Sequence, residues 1–252
     1  MLTIPQYLET ILAHTLGTPA EADAVSLSAL LYFQQQDWER ARTMLNLIEE
    51  PDAEIYSYLG ICASSLEDTA TACKMFKLGL DSNPTNTLDM VRFGDALIKI
   101  GDPEQAAAEY QKAIELQPDF SEAYAHLIEL HFSTDNLKEA LAVVNVALEK
   151  CTEGLSILYN LQGITFAELD RLDEAALAFA YAASCNELDY NAWFNLGLTL
   201  IKLGRQEESD LALGRIPASI LEHYLEKAKQ SAAVPTAEDN SEVKVVIPEI
   251  VA

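Results

Sequence analysis

Small and large apolar positions return along this chain at a fixed interval. Gly60 and Gly94 are 34 apart, as are Gly163 and Gly197, and Ile128 stands where the missing member of that series belongs. Ala72, Ala106 and Ala140 are spaced by 34, Ala175 follows by 35, Ser209 takes the next place and Ala41 precedes the series by 31. Large residues keep the same beat. Phe76, Tyr110, Val144, Phe179 and Leu213 each lie four places after one of those small residues, while Tyr56, Met90, Tyr124, Tyr159 and Trp193 lie four places before the glycine position. Pro84 and Pro118 are also 34 apart. A small residue in each of two antiparallel helices lets their axes approach closely. No single unit can bury the large residues around them, so neighbouring units must stack. Each proline, lacking an N–H, stops a second helix and marks a unit boundary.

This register places repeats at 22–52, which is short and degenerate, and at 53–86, 87–120, 121–155, 156–189 and 190 to about 215, within an array over 18–215. Ahead of it, Ile4, Leu8, Ile11 and Leu12 make an apolar stripe at helical spacing that predicts a capping helix over 1–17, ended by Gly17. Thr18, Pro19 and Glu21 then read as a cap, a first-turn proline and a capping-box acid. Ile216, Ile220, Tyr224 and Ala228 predict a closing helix over 216–230. Residues 231–252 break the pattern with a polar, proline-containing linker and a β-branched run that includes Val243, Val245, Val246, Ile247, Ile250 and Val251. They read as a flexible, extended tail. The gain from burying that run and the entropy of ordering it are of similar size, so the segment Val245, Val246, Ile247, Pro248 and Ile250 is expected either to dock weakly and displaceably or to stay disordered.

The stretches "WFNLGLTL" at 193–200, "YSYLGICA" at 56–63, "AAAEY" at 106–110 and "AALAF" at 175–179 resemble the tetratricopeptide repeat (TPR) family. Its unit carries aromatic-x2-Leu-Gly-x2-large, then Ala-x3-aromatic, then Pro, and the resemblance covers residues 22 to about 215. It implies an all-α, right-handed superhelical solenoid of about six helix-turn-helix repeats with capping helices at both ends. It also implies that the first helix of each repeat lines a concave groove that binds protein.

On that register three rows line the groove. One is Ser57, Val91, Ala125, Asn160 and Phe194; the next is Ile61, Asp95, Glu129, Ile164 and Leu198; the third is Ser64, Ile98, Phe132, Ala167 and Ile201. Lys99 and Lys202 follow one place further along. The groove is apolar with an acidic centre at Asp95 and Glu129. The family's best known groove chemistry is a clamp of Lys, Arg and Asn on the acidic C-terminus of a chaperone. No Lys or Arg falls in the three rows, and Asp95 and Glu129 would repel an acidic tail. An apolar segment bearing a basic residue suits the groove better.

The balance of 40 acidic against 16 basic residues, formally -24, disfavours nucleic acid and anionic lipid surfaces, whose binding depends on Lys and Arg displacing counterions. The acidity serves either solubility or the choice of basic partners. The start of the chain, "MLTIPQYLETILAHTLG", reads as neither a signal peptide nor a membrane span, so a cytoplasmic protein with no direct membrane insertion is expected. Cys62, Cys73, Cys151 and Cys185 are far apart, with no CxxC pair, and read as free buried thiols. His126 and His131 are five apart, where a helical metal pair wants four, and "LGRQEE" at 203–208 and "IGDPEQ" at 100–105 are inter-helix turns and not phosphate loops. Nothing organises a nucleophile, base and oxyanion site, so no catalysis, cofactor or metal is expected. The function expected is a scaffold, adaptor or secretion-type chaperone holding a client segment in its groove. The alternatives are self-assembly, with one copy's tail in the groove of the next, and a regulatory subunit of an enzyme complex.

Overall fold

The computed structural model describes residues 21–232, with side chains described over 24–228. The helix expected over 1–17 and the tail from 233 onward, with Val245, Val246, Ile247, Pro248 and Ile250, lie outside the described residues. Within them the fold is all-α, thirteen helices with no strand, arranged as the succession of helix pairs of an α-solenoid. Contacts divide the chain after Gln117 into two compact units.

The first unit holds α1 (Glu21–Gln34), α2 (Trp38–Leu45), α3 (Ala53–Ser65), α4 (Thr69–Ser82), α5 (Thr87–Ile100) and α6 (Pro103–Leu116). The second holds α7 (Ser121–Ser133), α8 (Leu137–Lys150), α9 (Leu155–Glu168), α10 (Leu172–Cys185), α11 (Tyr190–Lys202), α12 (Gln206–Leu213) and α13 (Ala218–Ala232). In both units consecutive helices of the pairs pack on each other, and in the second α9 also packs on α7 and α11.

The small positions of the sequence sit where two helices of a pair cross. A Cβ built on Gly60 would fall 2.5 Å from the Phe76 ring, on Gly94 2.3 Å from Tyr110, on Gly163 2.6 Å from Phe179 and on Gly197 2.5 Å from Leu213. Only a residue without a side chain lets those three rings and the Leu213 side chain lie against the backbone of the facing helix. The pair α7/α8 fills the same register differently, with Ile128 in the glycine position and Val144 in the position of the ring, both fully buried. Volume has moved from one helix to the other.

The turn inside each of the six pairs is built to one plan. Gln36, Glu67, Gly101, Asp135, Asp170 and Gly204 all have positive φ, between 56° and 89°, and each is followed by a residue whose N–H reaches back five places: Asp37 to Tyr32, Asp68 to Ala63, Asp102 to Leu97, Asn136 to His131, Arg171 to Phe166 and Arg205 to Leu200. This bond satisfies a carbonyl at the end of the first helix. The same residue caps the second helix. Asp37, Asp68 and Asp102 do so by accepting from the amides of Arg40, Thr71 and Gln105 at 3.1–3.2 Å, while Arg171 and Arg205 instead ion-pair with Glu174 and Glu208 one turn on. In the turn Gly101-Asp102-Pro103 the proline takes the first helical position, where its missing N–H costs nothing.

The α13 stripe lies against α11. Ile216, Phe194 and Ala228 are buried together, with Leu198, Ile220 and Tyr224 packed around them and the Phe194 and Tyr224 rings 5.2 Å apart.

Candidate functional site

The first helices of each unit carry the residues expected to line a groove, and the structure sorts them by depth. In the first unit Val91 is buried at 1% exposure, and the buried Ser57 hydroxyl donates to Asp89 Oδ1 at 2.6 Å. Ile61, Ser64 and Asp95 are half-buried, and Ile98 and Lys99 are exposed. Asp95 is held from within its own pair, since the Tyr110 hydroxyl donates to its Oδ1 at 2.7 Å. In the second unit Ala125, Asn160, Ile164 and Phe194 are buried, Glu129, Phe132, Ala167 and Leu198 are half-buried, and Ile201 and Lys202 are exposed.

Val91, Asn160, Ile164 and Phe194, expected as ligand contacts, are each no more than 2% exposed. Ile164 packs in one cluster with Leu196 and Leu200 of the next repeat, and Phe194 packs with Ile216 and Ala228 at the closing helix. Asn160 Oδ1 accepts from Asn195 Nδ2 at 3.2 Å, with both amides almost wholly enclosed, so the pair ties α9 to α11. Leu198 packs against the cluster of Phe194, Ile216 and Ala228 and is half-covered by α13. What remains at the surface is Asp95, Ile98 and Lys99 in the first unit, and Glu129, Phe132, Ile201 and Lys202 in the second.

A buried carboxylate that the repeat pattern did not single out lies under the first set. Asp89 is 1% exposed and accepts from Ser57 Oγ, from Asn86 Nδ2 at 2.8 Å and from Arg92 Nη1 at 3.1 Å. Ser57 belongs to α3 and the others to the start of α5, so the carboxylate joins two repeats.

Each unit also has a cleft between successive second helices, floored by the first helix between them. The cleft of the first unit, about 360 Å³, is lined by Lys77 and Asp81 of α4, Met90 and Phe93 of α5, and Glu109 and Lys112 of α6. Glu109 is 7% exposed and accepts from Lys112 Nζ at 2.7 Å. The cleft of the second unit, about 300 Å³, is lined by Leu177 of α10, Trp193, Leu196 and Leu200 of α11, and Arg205, Glu208, Leu211 and Arg215 on or beside α12, with Glu208 paired to Arg205. The floor residues lie roughly 130° around α11 from Phe194, Leu198 and Ile201, so this is a different face from the groove rows. Repeat register equates Phe93 with Leu196, Glu109 with Ala212 and Lys112 with Arg215. One architectural position thus carries an ion pair in the first unit and an arginine beside alanine in the second.

The cysteines are all free, but they are not all buried. Cys62 and Cys151 are buried, Cys73 is half-buried and Cys185 is exposed. Cys185 ends α10, on a turn that no neighbouring helix covers, which the sequence expectation of buried thiols missed. Burial pushes the Cys62 thiol up to about 11, against a smaller downward pull from the Arg42 guanidinium. At pH 8 a thiol titrating there holds roughly a hundredfold less thiolate than an ordinary one. Iodoacetamide at that pH is therefore expected to label Cys185 in the native protein and Cys62 only after denaturant is added; mass spectrometry of timed digests reads the order. Among the described residues no group of three or more His, Cys, Asp or Glu is placed to hold a metal ion, and no helix is long and apolar enough to cross a membrane.

The family model for the tetratricopeptide repeat matches residues 91–154 and 160–232, more than half of the chain. The chain belongs to the tetratricopeptide repeat family. TPR proteins generally serve as non-catalytic modules for protein–protein interaction. Among curated proteins it is similar to anaphase-promoting complex subunit 3 of Schizosaccharomyces pombe, 24% identical over 161 residues and 64% of this chain; the chain spans about a quarter (24%) of that subunit's length. A tetratricopeptide repeat protein from Parabacteroides merdae superposes with a TM-score of 0.66 at 14% identity over 87% of this chain and 88% of that one. YrrB, described as a TPR protein with an unusual peptide-binding site, superposes with a TM-score of 0.51 at 20% identity over 74% of this chain and 98% of that one. These superpositions show the TPR fold.

The residues that sequence reasoning passed over are those of the second-helix clefts. A signal was present: Leu177 and Leu211 are 34 apart, and Lys112 and Arg215 both lie six places after the small residue of the second helix. Both pairs fall on the side of the TPR helix read as solvated.

Proposed function

We propose that this TPR chain is a non-catalytic adaptor that holds a short apolar segment, carrying a basic residue, of a partner protein against the groove-row face of its first helices. The observation that carries the reading is the surface left there once the buried rows are set aside. In the first unit exposed Ile98 lies one turn from Asp95, and in the second half-buried Phe132 lies one turn from Glu129. Apolar side chains next to carboxylates suit a ligand that is apolar with a cation, and the carboxylates select against an acidic one. The relatives support an assembly role in outline: one is named as the subunit of a complex, and one structural neighbour is described as having a peptide-binding site. Free thiols at Cys62, Cys73, Cys151 and Cys185 fit work in the reducing cytoplasm.

The test is selection from a random peptide library followed by calorimetry on the peptides retained. Selected peptides are expected to combine aliphatic or aromatic residues with Lys or Arg and to bind more weakly as salt rises. A chain carrying Ile98→Asp and Ile201→Asp is expected to lose affinity at least about tenfold while keeping its thermal midpoint, because both side chains are exposed. Selection of acidic peptides, or equal binding by the variant, would overturn the reading.

A further inference from the structure

The cleft of the second unit combines an exposed apolar lining with an arginine that lacks a counter-charge. Leu177 and Leu211, on its two walls, are 62% and 74% exposed, although leucines of a solvated helix face need no such partner across a cleft. The chain has six arginines. Arg40 and Arg42 pair with Asp37 and Glu39, Arg92 with Asp89, Arg171 with Glu174 and Arg205 with Glu208. Arg215 alone has no carboxylate among the described residues; its guanidinium lies over the Trp193 ring, 5.6 Å from the centroid, at the edge of the cleft. In a chain where acidic residues outnumber basic ones by 40 to 16, an arginine left without a carboxylate beside an apolar trough describes its ligand: apolar, with one carboxylate.

The chain carries such a segment. Residues 243–251, "VKVVIPEIV", place Glu249 between Ile247 and Ile250. They are also within reach. Tyr224 of α13 touches Phe194 of α11, which adjoins the cleft residue Trp193, and Ala232 lies eight residues on, about 12 Å along the helix. The ten residues 233–242 then span up to about 33 Å when extended, enough to return along α11 in either direction. On the first-helix face Glu129 would oppose Glu249; in the cleft Arg205 already neutralises Glu208, and Arg215 would attract Glu249.

We propose that segment 243–251 of the chain docks in its own cleft between α10 and α12, with Glu249 against Arg215 and Ile247 and Ile250 between Leu177 and Leu211. The proposal does not depend on what the first-helix face binds.

Amide hydrogen exchange on the full chain tests it, at two protein concentrations, with four variants: Leu211→Asp, Arg215→Glu, Glu249→Arg, and Arg215→Glu with Glu249→Arg. Amides of 243–251 are expected to be protected roughly tenfold or more in the wild type, whatever the concentration. Each single variant should abolish that protection, and the charge-exchanged pair should recover it. Leu211 and Arg215 are exposed and Glu249 lies beyond the repeats, so none of these changes removes a core contact. A wild-type segment that exchanges freely overturns the proposal. So does protection that survives both Leu211→Asp and Arg215→Glu, which would place the segment elsewhere, or protection that grows with concentration, which would place it on a second copy.

Discussion

Replacing Gly163 by isoleucine is expected to destabilise the second unit by about 3 kcal/mol, and changing Phe179 to valine in the same chain to recover most of that loss. A Cβ at Gly163 would lie 2.6 Å from Cδ1 and Cε1 of Phe179, and Phe179 is fully enclosed, so the ring cannot swing away. Phe179→Val alone opens a cavity and is itself expected to cost about 3 kcal/mol. Together the two changes add to one helix as many carbons as they remove from the other. The chain already contains the product of that exchange in Ile128 and Val144. Urea denaturation of the four chains, wild type, each single and the pair, gives the coupling directly. A pair no more stable than the sum of its singles would mean that the helices of α9/α10 cross at a different depth from those of α7/α8.

Asp89→Ala is expected to cost about 3 kcal/mol, the range for breaking a buried ion pair by removing one partner. Three donors lose their acceptor at once: the Ser57 hydroxyl, the Asn86 amide and the Arg92 guanidinium. Because Ser57 is on α3 and Asp89 on α5, the loss should fall on the joint between two repeats, not within either pair. Hydrogen exchange should therefore show α3 and α5 opening earlier, while the amides of α9 and α11 keep their rates. A change below about 1 kcal/mol would show that water replaces the carboxylate, as it does for exposed pairs.

The repeat, its helix pairs and its turns were legible because they depend on residues within one period: a small residue, a large one four places on, and a stop. Gly94 and Tyr110 are paired by local register alone, and so is the turn at Gly101, Asp102 and Pro103. The candidate surface was less legible, because depth depends on how one repeat leans on the next. Val91, Ile164 and Phe194 share a helix face with Ile98 and Ile201, yet the first three are buried and the last two are exposed. No period records that angle. Asn160 looked like a polar groove residue and proved to be half of an amide pair with Asn195. Arg215 was hidden for the opposite reason: its type is common on a wet helix, and only the absence of a carboxylate beside it in the fold sets it apart.

The six inter-helix turns carry a different kind of information. Each demands a left-handed residue, but only Gly101 and Gly204 are glycines; Gln36, Glu67, Asp135 and Asp170 adopt the same backbone with φ between 56° and 59°. Each of those four forgoes roughly 1 kcal/mol that glycine would not, at a loop tip that belongs neither to the first-helix face nor to the clefts. These left-handed positions are thus distinct from the residues proposed to meet a partner. Evolution, or an engineer, can stiffen or loosen the array one turn at a time while leaving the first-helix face and the clefts as they are.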